Sequence, residues 1–294
     1  MFTIPRLQLA ILAVLTSAVL FGTTGTVLVN APHSADPYSV GTVRLLIGGA
    51  TLLGVASRRG REAVAAPWRV PFALLTVVGA VGVAVFQLGY FLAVQRTGVA
   101  VGTVATIGSG PVLSGVIDAV VHRRPPQPRW LLGTAVSVVG VALLSLAGRA
   151  GAVDSAGIAL AVLAGLGWAV FATVGKHQID HGVDSTASMA AMFSGGALLL
   201  SPLLLAHSPA WVTSCSGLAV ALYLGVVTVG LAYTLYGIAL RHLPAPTVIT
   251  LTLLEPITAA LLGAVVVHEG IRPAGWVGIA LVLTGLALTA TVAA

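Results

Sequence analysis

Apolar runs of about twenty residues follow one another along almost the whole chain, with only short polar turns between them. That pattern limits the fold more than any other feature. A hydrocarbon core roughly 30 Å thick is crossed by about 20 helical residues. Within it every backbone polar group needs an internal partner, so only helices and closed barrels can span. The runs here are long and do not alternate, which excludes a barrel. Only 7% of the 294 residues are charged and 57% are hydrophobic, whereas soluble domains carry roughly 25% charged residues. The expected fold class is an all-α polytopic membrane protein.

Ten spans are expected, at 7–29, 38–56, 71–94, 98–121, 130–147, 156–175, 185–206, 216–240, 244–267 and 275–292. The longest linkers run from Arg58 to Arg69 and from His122 to Arg129. A cleaved leader is a second reading of the first span, from Arg6, the apolar run and Thr16-Ser17-Ala18. Against it, the run continues to Val29 and has a counterpart, since AVLFGTTG (18–25) resembles WAVFATVG (168–175).

The net charge of +6 does not indicate a nucleic-acid partner, because the basic residues sit in the short loops, where topology accounts for them. With the N-terminus cytoplasmic, the inside holds Arg6, Arg58, Arg59, Arg61, Arg69, Arg123, Arg124, Arg129, Lys176 and Arg241. The outside holds Arg96, Arg149 and Arg272. This bias predicts both termini in the cytoplasm. The Ala/Val/Gly-rich, Arg-over-Lys composition suggests a high-GC bacterium, hence its inner membrane, with the lipid bilayer as surroundings. The single cysteine, Cys215, excludes an internal disulfide and suggests no thiolate metal site. No cofactor and no metal is expected.

The two halves match at a fixed offset of 145: Arg96 with Arg241, Pro111 with Pro256, Pro128 with Pro273, Gly133 with Gly278 and Gly140 with Gly285. Gly48-Gly49-Ala50 and Gly195-Gly196-Ala197 form a looser match. Five spans per half is an odd number, so the second half enters the membrane inverted. The expected organisation is two inverted five-helix repeats, residues 1–148 and 149–294. Inverted repeats are a transporter pattern, with the site between the halves and near proline-interrupted helices.

Glu255 stands in an apolar run directly before Pro256. A carboxylate at the centre of a membrane helix costs roughly 2.5–3.5 kcal/mol on insertion scales. The proline has no N–H, which is expected to leave the carbonyl of Thr252 without its helical partner. Glu255 reads as the partner of a substrate amine or as a proton carrier. The alternative is a protonated side chain bonded to a neighbouring helix. Pro111 and Pro256 read as hinges breaking spans 4 and 9, or as static kinks. Arg44 reads as a ligand for a substrate carboxylate, or as a cation snorkelling to the interface. Tyr233 and Tyr236 share one helix face. With Tyr90, Phe91, Trp168 and Phe171 they read as cavity lining or as packing, and Gln87 as a polar lining residue. Asp118 reads as a partner of Arg123 or Lys176, and His268 and Glu269 as a solvated end of span 9.

The stretch from Gly230 to Gly285, with Tyr233, Tyr236, Leu254-Glu255-Pro256, Glu269 and Gly285, resembles the second EamA repeat of the drug/metabolite transporter superfamily. Phe21-Gly22, Arg44 and Pro111 resemble marks of the partner repeat. The resemblance implies ten helices, a central cavity, and movement of small organic molecules, often export of amino acids, metabolites or drugs. Two positions depart from it: Gly110 stands where symmetry would repeat Glu255, and Arg124 where it would repeat Glu269.

A secondary permease, an exporter working by alternating access on a small-molecule substrate, is the expected function. A phosphate-binding loop is absent around Gly175-Lys176. An intramembrane protease would need a membrane histidine facing Ser109, and the histidines lie at span ends. A channel or a non-transporting sensor or scaffold is the alternative. The sequence leaves open a homodimer through the small-residue face around Gly133 and Gly140.

Overall fold

The computed structural model describes residues 6–123, 125–146, 154–266 and 271–292. Its regular elements are all helical. The main helices are α1 (Arg6–Leu28), α2 (Pro37–Ser57), α3 (Ala73–Gly98) and α4 (Val101–Val121), followed by α5 (Pro128–Leu146). The second half holds α6 (Ser155–Asp180), α7 (Ser185–Leu205), α8 (Cys215–Leu240), α9 (Ala245–Val266) and α10 (Pro273–Val292). Among the described residues, nine are long and apolar enough to cross a membrane. The apolar part of α5, Pro128–Leu144, is shorter. The chain is thus a multi-pass membrane protein. His268, Glu269 and Arg124 lie outside the described residues.

Local chemistry fixes several helix ends. Asp36, Asp154 and Asp184 are the N-caps of α2, α6 and α7, their carboxylates accepting otherwise orphaned backbone N–H groups. Between α3 and α4 the chain reverses at Gly98, whose φ of 80° is open to glycine and strained for other residues. That single residue replaces a loop.

Lipid tails are as apolar as leucine, so helices associate through close approach rather than through exclusion of water. Glycines supply that approach. In the antiparallel pair α3 and α6, a Cβ on Gly82 would lie 2.8 Å from the carbonyl oxygen of Gly167, and one on Gly167 would lie 2.6 Å from that of Gly82. The pair α5 and α10 is built alike: a Cβ on Gly140 would lie 2.7 Å from the Gly278 oxygen, and one on Gly133 would lie 2.8 Å from the Gly285 oxygen. Advancing along α5 therefore means retreating along α10. The Gly133 and Gly140 face is used inside the chain, against α10.

α1 packs on α8 and α9, and the Ser17 hydroxyl donates to the Ala232 carbonyl at 2.9 Å. It is packed into the bundle along with the later helices. α3 of the first half packs on α6 of the second, while α1 of the first packs on α8 of the second. The halves interlock rather than sit side by side.

α8 is composite. Cys215–Leu222 and Ala232–Leu240 are α-helical, and Tyr223–Leu231 between them is a π-helix. Such segments are rare and concentrate at functional sites. Here the wider turn lies against α2: a Cβ on Gly48 would meet Val229 Cβ at 2.3 Å, and one on Gly225 would meet Ile47 Cβ at 2.4 Å.

Candidate functional site

α9 is interrupted where the sequence led one to look. One helical piece ends at Leu251 and the next begins at Leu254. The Thr252 carbonyl is nevertheless occupied, corrected from the expectation that it stands free: it accepts from the Glu255 N–H at 2.9 Å. A tighter three-residue turn replaces the bond that Pro256 cannot make.

Pro111 behaves differently. α4 runs through it as continuous helix, so the expected break is absent there. The residue before each proline differs. A side chain preceding proline meets its ring in the helical conformation. Gly110 has no Cβ and is relieved of that contact, whereas Glu255, itself helical, keeps it, and the chain opens one turn earlier, at Thr252 and Leu253.

Gly22 brings α1 onto this break. A Cβ at Gly22 would lie 2.8 Å from the Glu255 carbonyl oxygen and 2.5 Å from Thr258 Cβ. The Phe21 ring beside it stands 4.9 Å from that of Tyr233. Tyr233 is 5.6 Å from Tyr236 and 4.0 Å from Phe193, and Phe171 reaches Tyr233 at 6.0 Å. Tyr233, Tyr236, Trp168 and Phe171 are all buried.

Arg44 on α2, Glu255 on α9, Tyr233 on α8 and Tyr90 on α3 lie within electrostatic reach of one another. Among the described residues, the Arg44 side chain makes no hydrogen bond or ion pair, and its Nε is buried without a partner. The Glu255 carboxylate likewise accepts no hydrogen bond from them. A base and an acid from different halves thus come within electrostatic reach without joining. Both are unpaired by symmetry too. Glu255 corresponds to Gly110, and Arg44, on the Gly48-Gly49-Ala50 match, to the buried Ala191.

The Gly110 side of the bundle is filled. A Cβ there would lie 2.8 Å from Trp168 Cε3. Trp168 corresponds to Ala18 in the first half, so the indole of one half takes the volume that the carboxylate takes in the other. The Trp168 indole N–H and the Tyr236 hydroxyl act on each other electrostatically, yet neither completes a hydrogen bond of good geometry.

Tyr90 and the remaining candidates are held by neighbours of their own. Tyr90 and Thr103 hydroxyls are hydrogen-bonded at 3.0 Å, tying α3 to α4. Gln87 is buried beside Phe91 against Gly41 of α2. The Ser109 hydroxyl donates to the Thr106 carbonyl. Lys176 pairs with Asp180 at 2.6 Å, one turn along α6. No group of three or more histidine, cysteine or acidic side chains suited to a metal occurs among the described residues. The sequence did not reveal the π-helix below Tyr233, whose only trace is the pair Gly225 and Gly230.

Comparison with known proteins bears on this arrangement. The model of the EamA-like transporter family matches twice, at residues 8–146 and 155–291. An uncharacterized transporter of Bacillus subtilis, YwfM, is 38% identical over 94% of this chain and 91% of its own. The threonine/homoserine exporter RhtA of Escherichia coli K12 is 30% identical over 70% of this chain and 69% of its own. An uncharacterized protein of Pseudomonas aeruginosa, PA1977, is 30% identical over 86% and 84%. One solved crystal structure shares the fold, with a TM-score of 0.81 at 21% identity over 97% of both chains. With the family match covering both halves of an all-helical, multi-pass bundle, the chain belongs to the EamA-like transporter family.

Proposed function

We propose that this protein is a secondary transporter that exports a small zwitterionic solute, an amino acid or close analogue, by alternating access. One observation carries the reading: Arg44 and Glu255, from opposite halves and inside the bundle, lie within electrostatic reach of each other with no hydrogen-bonding partner of their own among the described residues. Buried charges are ordinarily paired or hydrogen-bonded. A zwitterion would satisfy both, its carboxylate on the Arg44 fork and its ammonium on Glu255. Tyr233, within electrostatic reach of both, with Phe21 and Phe193 around it, would take the apolar body. The exporter name of the Escherichia coli relative agrees with this class.

The transport cycle follows from the repeats. Counted with α5, whose 19 residues reach roughly 28 Å at 1.5 Å each, there are ten spans in two inverted five-helix repeats, residues 1–148 and 149–294. The antiparallel crossing of α5 and α10 at equivalent glycines supports the inversion. Pro256, with the turn at Thr252, is the hinge on one side, and Pro111 the stiffer counterpart. The loop arginines support both termini on the cytoplasmic side of the inner membrane.

Counterflow of labelled neutral amino acids into proteoliposomes tests the proposal. Saturable exchange is expected, inhibited by intact amino acids but not by decarboxylated amines or N-acetylated acids. Non-saturating conductance would sink it and favour a channel. Excreted metabolites compared with and without overexpression would name the solute.

A further inference from the structure

The two halves differ in the linkers that join their second and third helices. In the first half the linker is the stretch 58–72, between α2 and α3. In the second it is 206–214, between α7 and α8. The first carries Arg58, Arg59, Arg61 and Arg69 against a single acid, Glu62, whereas the second carries no lysine, arginine or acid. Each linker holds a tryptophan, and the two are used differently. Trp211 is buried, and its Nε1 donates to the Ser39 hydroxyl at 2.9 Å. Trp68 is 45% exposed. Its Cη2 lies 3.8 Å from where a Cβ on Gly195 of α7 would stand, and its indole N–H donates to no described residue. Val70 in the first linker and Leu205 beside the second are both exposed, so apolar exposure alone does not set the two apart. What does is unpaired positive charge beside an outward tryptophan.

The chain holds these groups in place. α2 ends at Ser57, and Gly60 turns the backbone with a φ of 99°. Arg61–Ala65 then forms a short helix whose Val64 packs on the bundle. The Pro67 carbonyl accepts from the Thr76 hydroxyl of α3. That hydroxyl accepts from Gln178 Nε2 at 2.8 Å, and the Ser188 hydroxyl donates to Gln178 Oε1 at 2.7 Å. The linker of one half is thereby fixed to α6 and α7 of the other. Arg69 is taken by Glu62, with Nη2 3.2 Å from Oε1. Arg58, Arg59 and Arg61 are exposed and make no side-chain hydrogen bond or ion pair with the described residues. Guanidinium groups this close in the chain repel one another until an anion neutralises them.

We infer that the linker 58–72 is a docking surface for acidic phospholipid headgroups, with Arg58, Arg59 and Arg61 on the phosphates and Trp68 at the headgroup level. A guanidinium fork matches phosphate oxygens in two-point contact, which an ammonium does not. A basic cluster directly flanking a membrane helix attracts acidic lipid, and it does so only within about a Debye length, ~8 Å, of the surface. These arginines meet that condition, since they directly follow α2. Tryptophan rings settle where headgroups meet hydrocarbon, and Trp68 stands between the end of one span and the start of the next. Both cues select a bilayer surface over a soluble anion. A linker already fixed by Pro67, Thr76 and Gln178 gives up little freedom on binding. Docking of this kind is independent of which solute the protein carries.

Full-length protein equilibrated in detergent with equal parts of phosphatidylglycerol and phosphatidylcholine tests it, with bound lipid read by native mass spectrometry. Phosphatidylglycerol is expected to be retained at least about threefold over phosphatidylcholine, and the preference to fade in high salt. Arg58→Gln, Arg59→Gln and Arg61→Gln combined should remove most of it. The matching Lys variant should keep part of it, since the charge survives without the fork. Arg272→Gln, at the opposite end of the bundle, should leave it whole. Thermal unfolding checks that the combined variant is folded, and the salt series needs no variant. Equal retention of the two lipids, a preference that resists salt, or one unchanged by the Gln variant would overturn the inference. So would displacement of phosphatidylglycerol by inorganic phosphate beyond that by chloride at equal ionic strength, which would assign the arginines to a soluble anion.

Discussion

Gly22 of α1 lies so close to Glu255 of α9 that a Cβ at residue 22 would sit 2.8 Å from the Glu255 carbonyl oxygen. The contact joins the first helix of one half to the interrupted helix of the other, at the residue most costly to place in a membrane. Replacing Gly22 by Val should push α1 off α9 and cost about 1–3 kcal/mol of packing. Gly25, with nothing within 4 Å of its added Cβ, is the control and should tolerate Val. Thermal unfolding of both variants in detergent, read beside transport, separates the two positions.

Glu255→Gln should reduce transport by at least about thirtyfold, since it removes one charged partner of a buried contact. Expression should stay near normal, because the carboxylate holds no other part of the protein. Normal flux at all pH values would dismiss the role assigned to Glu255. Failure of the variant to accumulate would make the residue structural.

Arg44→Lys should raise KM about tenfold with kcat little changed, since the charge survives but the bidentate fork does not. Arg44→Gln should remove transport altogether. Equal behaviour of the two variants would mean that Arg44 supplies neither charge nor geometry to the solute.

Gly110→Ala meets two obstacles, Trp168 Cε3 at 2.8 Å and the ring of Pro111, which disfavours helix at a residue with a Cβ. The melting temperature should fall, and Trp168→Leu in the same protein should restore part of it. No rescue would put the whole cost on the proline.

His242, in the turn before α9, is held below the ordinary imidazole value of 6.5 by partial burial and then by Arg241, Arg6 and Lys176. The unfolded chain therefore takes up this proton first. Stability is full above that value, falls as pH drops through the window just below it, and levels once the folded imidazole is itself protonated. His242→Gln should flatten this part of a stability-against-pH curve measured by thermal unfolding.

Much of the fold was legible because each span is a local property. The expected 38–56 and 185–206 are the observed Pro37–Ser57 and Ser185–Leu205, since a run of apolar residues either matches the bilayer or does not. The interruption at Thr252, one turn before Pro256, was legible because the proline lacks the N–H that would complete the helix there. The helical passage through Pro111 was readable in principle from Gly110, whose missing Cβ relieves the clash. The π-helix was not, because Tyr223–Leu231 has ordinary helix-forming residues and its geometry comes from packing on Ile47 and Gly48.

The sequence by itself determined that this chain is a bundle of membrane helices with two related halves, one carboxylate within a broken span, and the marks of a transporter family. Only the tertiary structure decided that Arg44 and Glu255 come within electrostatic reach of each other, that Trp168 fills the place symmetry would give a second acid, and that the Ser17 hydroxyl of one half bonds the Ala232 carbonyl of the other. The reason is physical. Span formation sums hydropathy over neighbours in the chain, whereas these pairings join residues far apart in it. They depend on the rotation and depth at which helices dock, which the glycine contacts between them set.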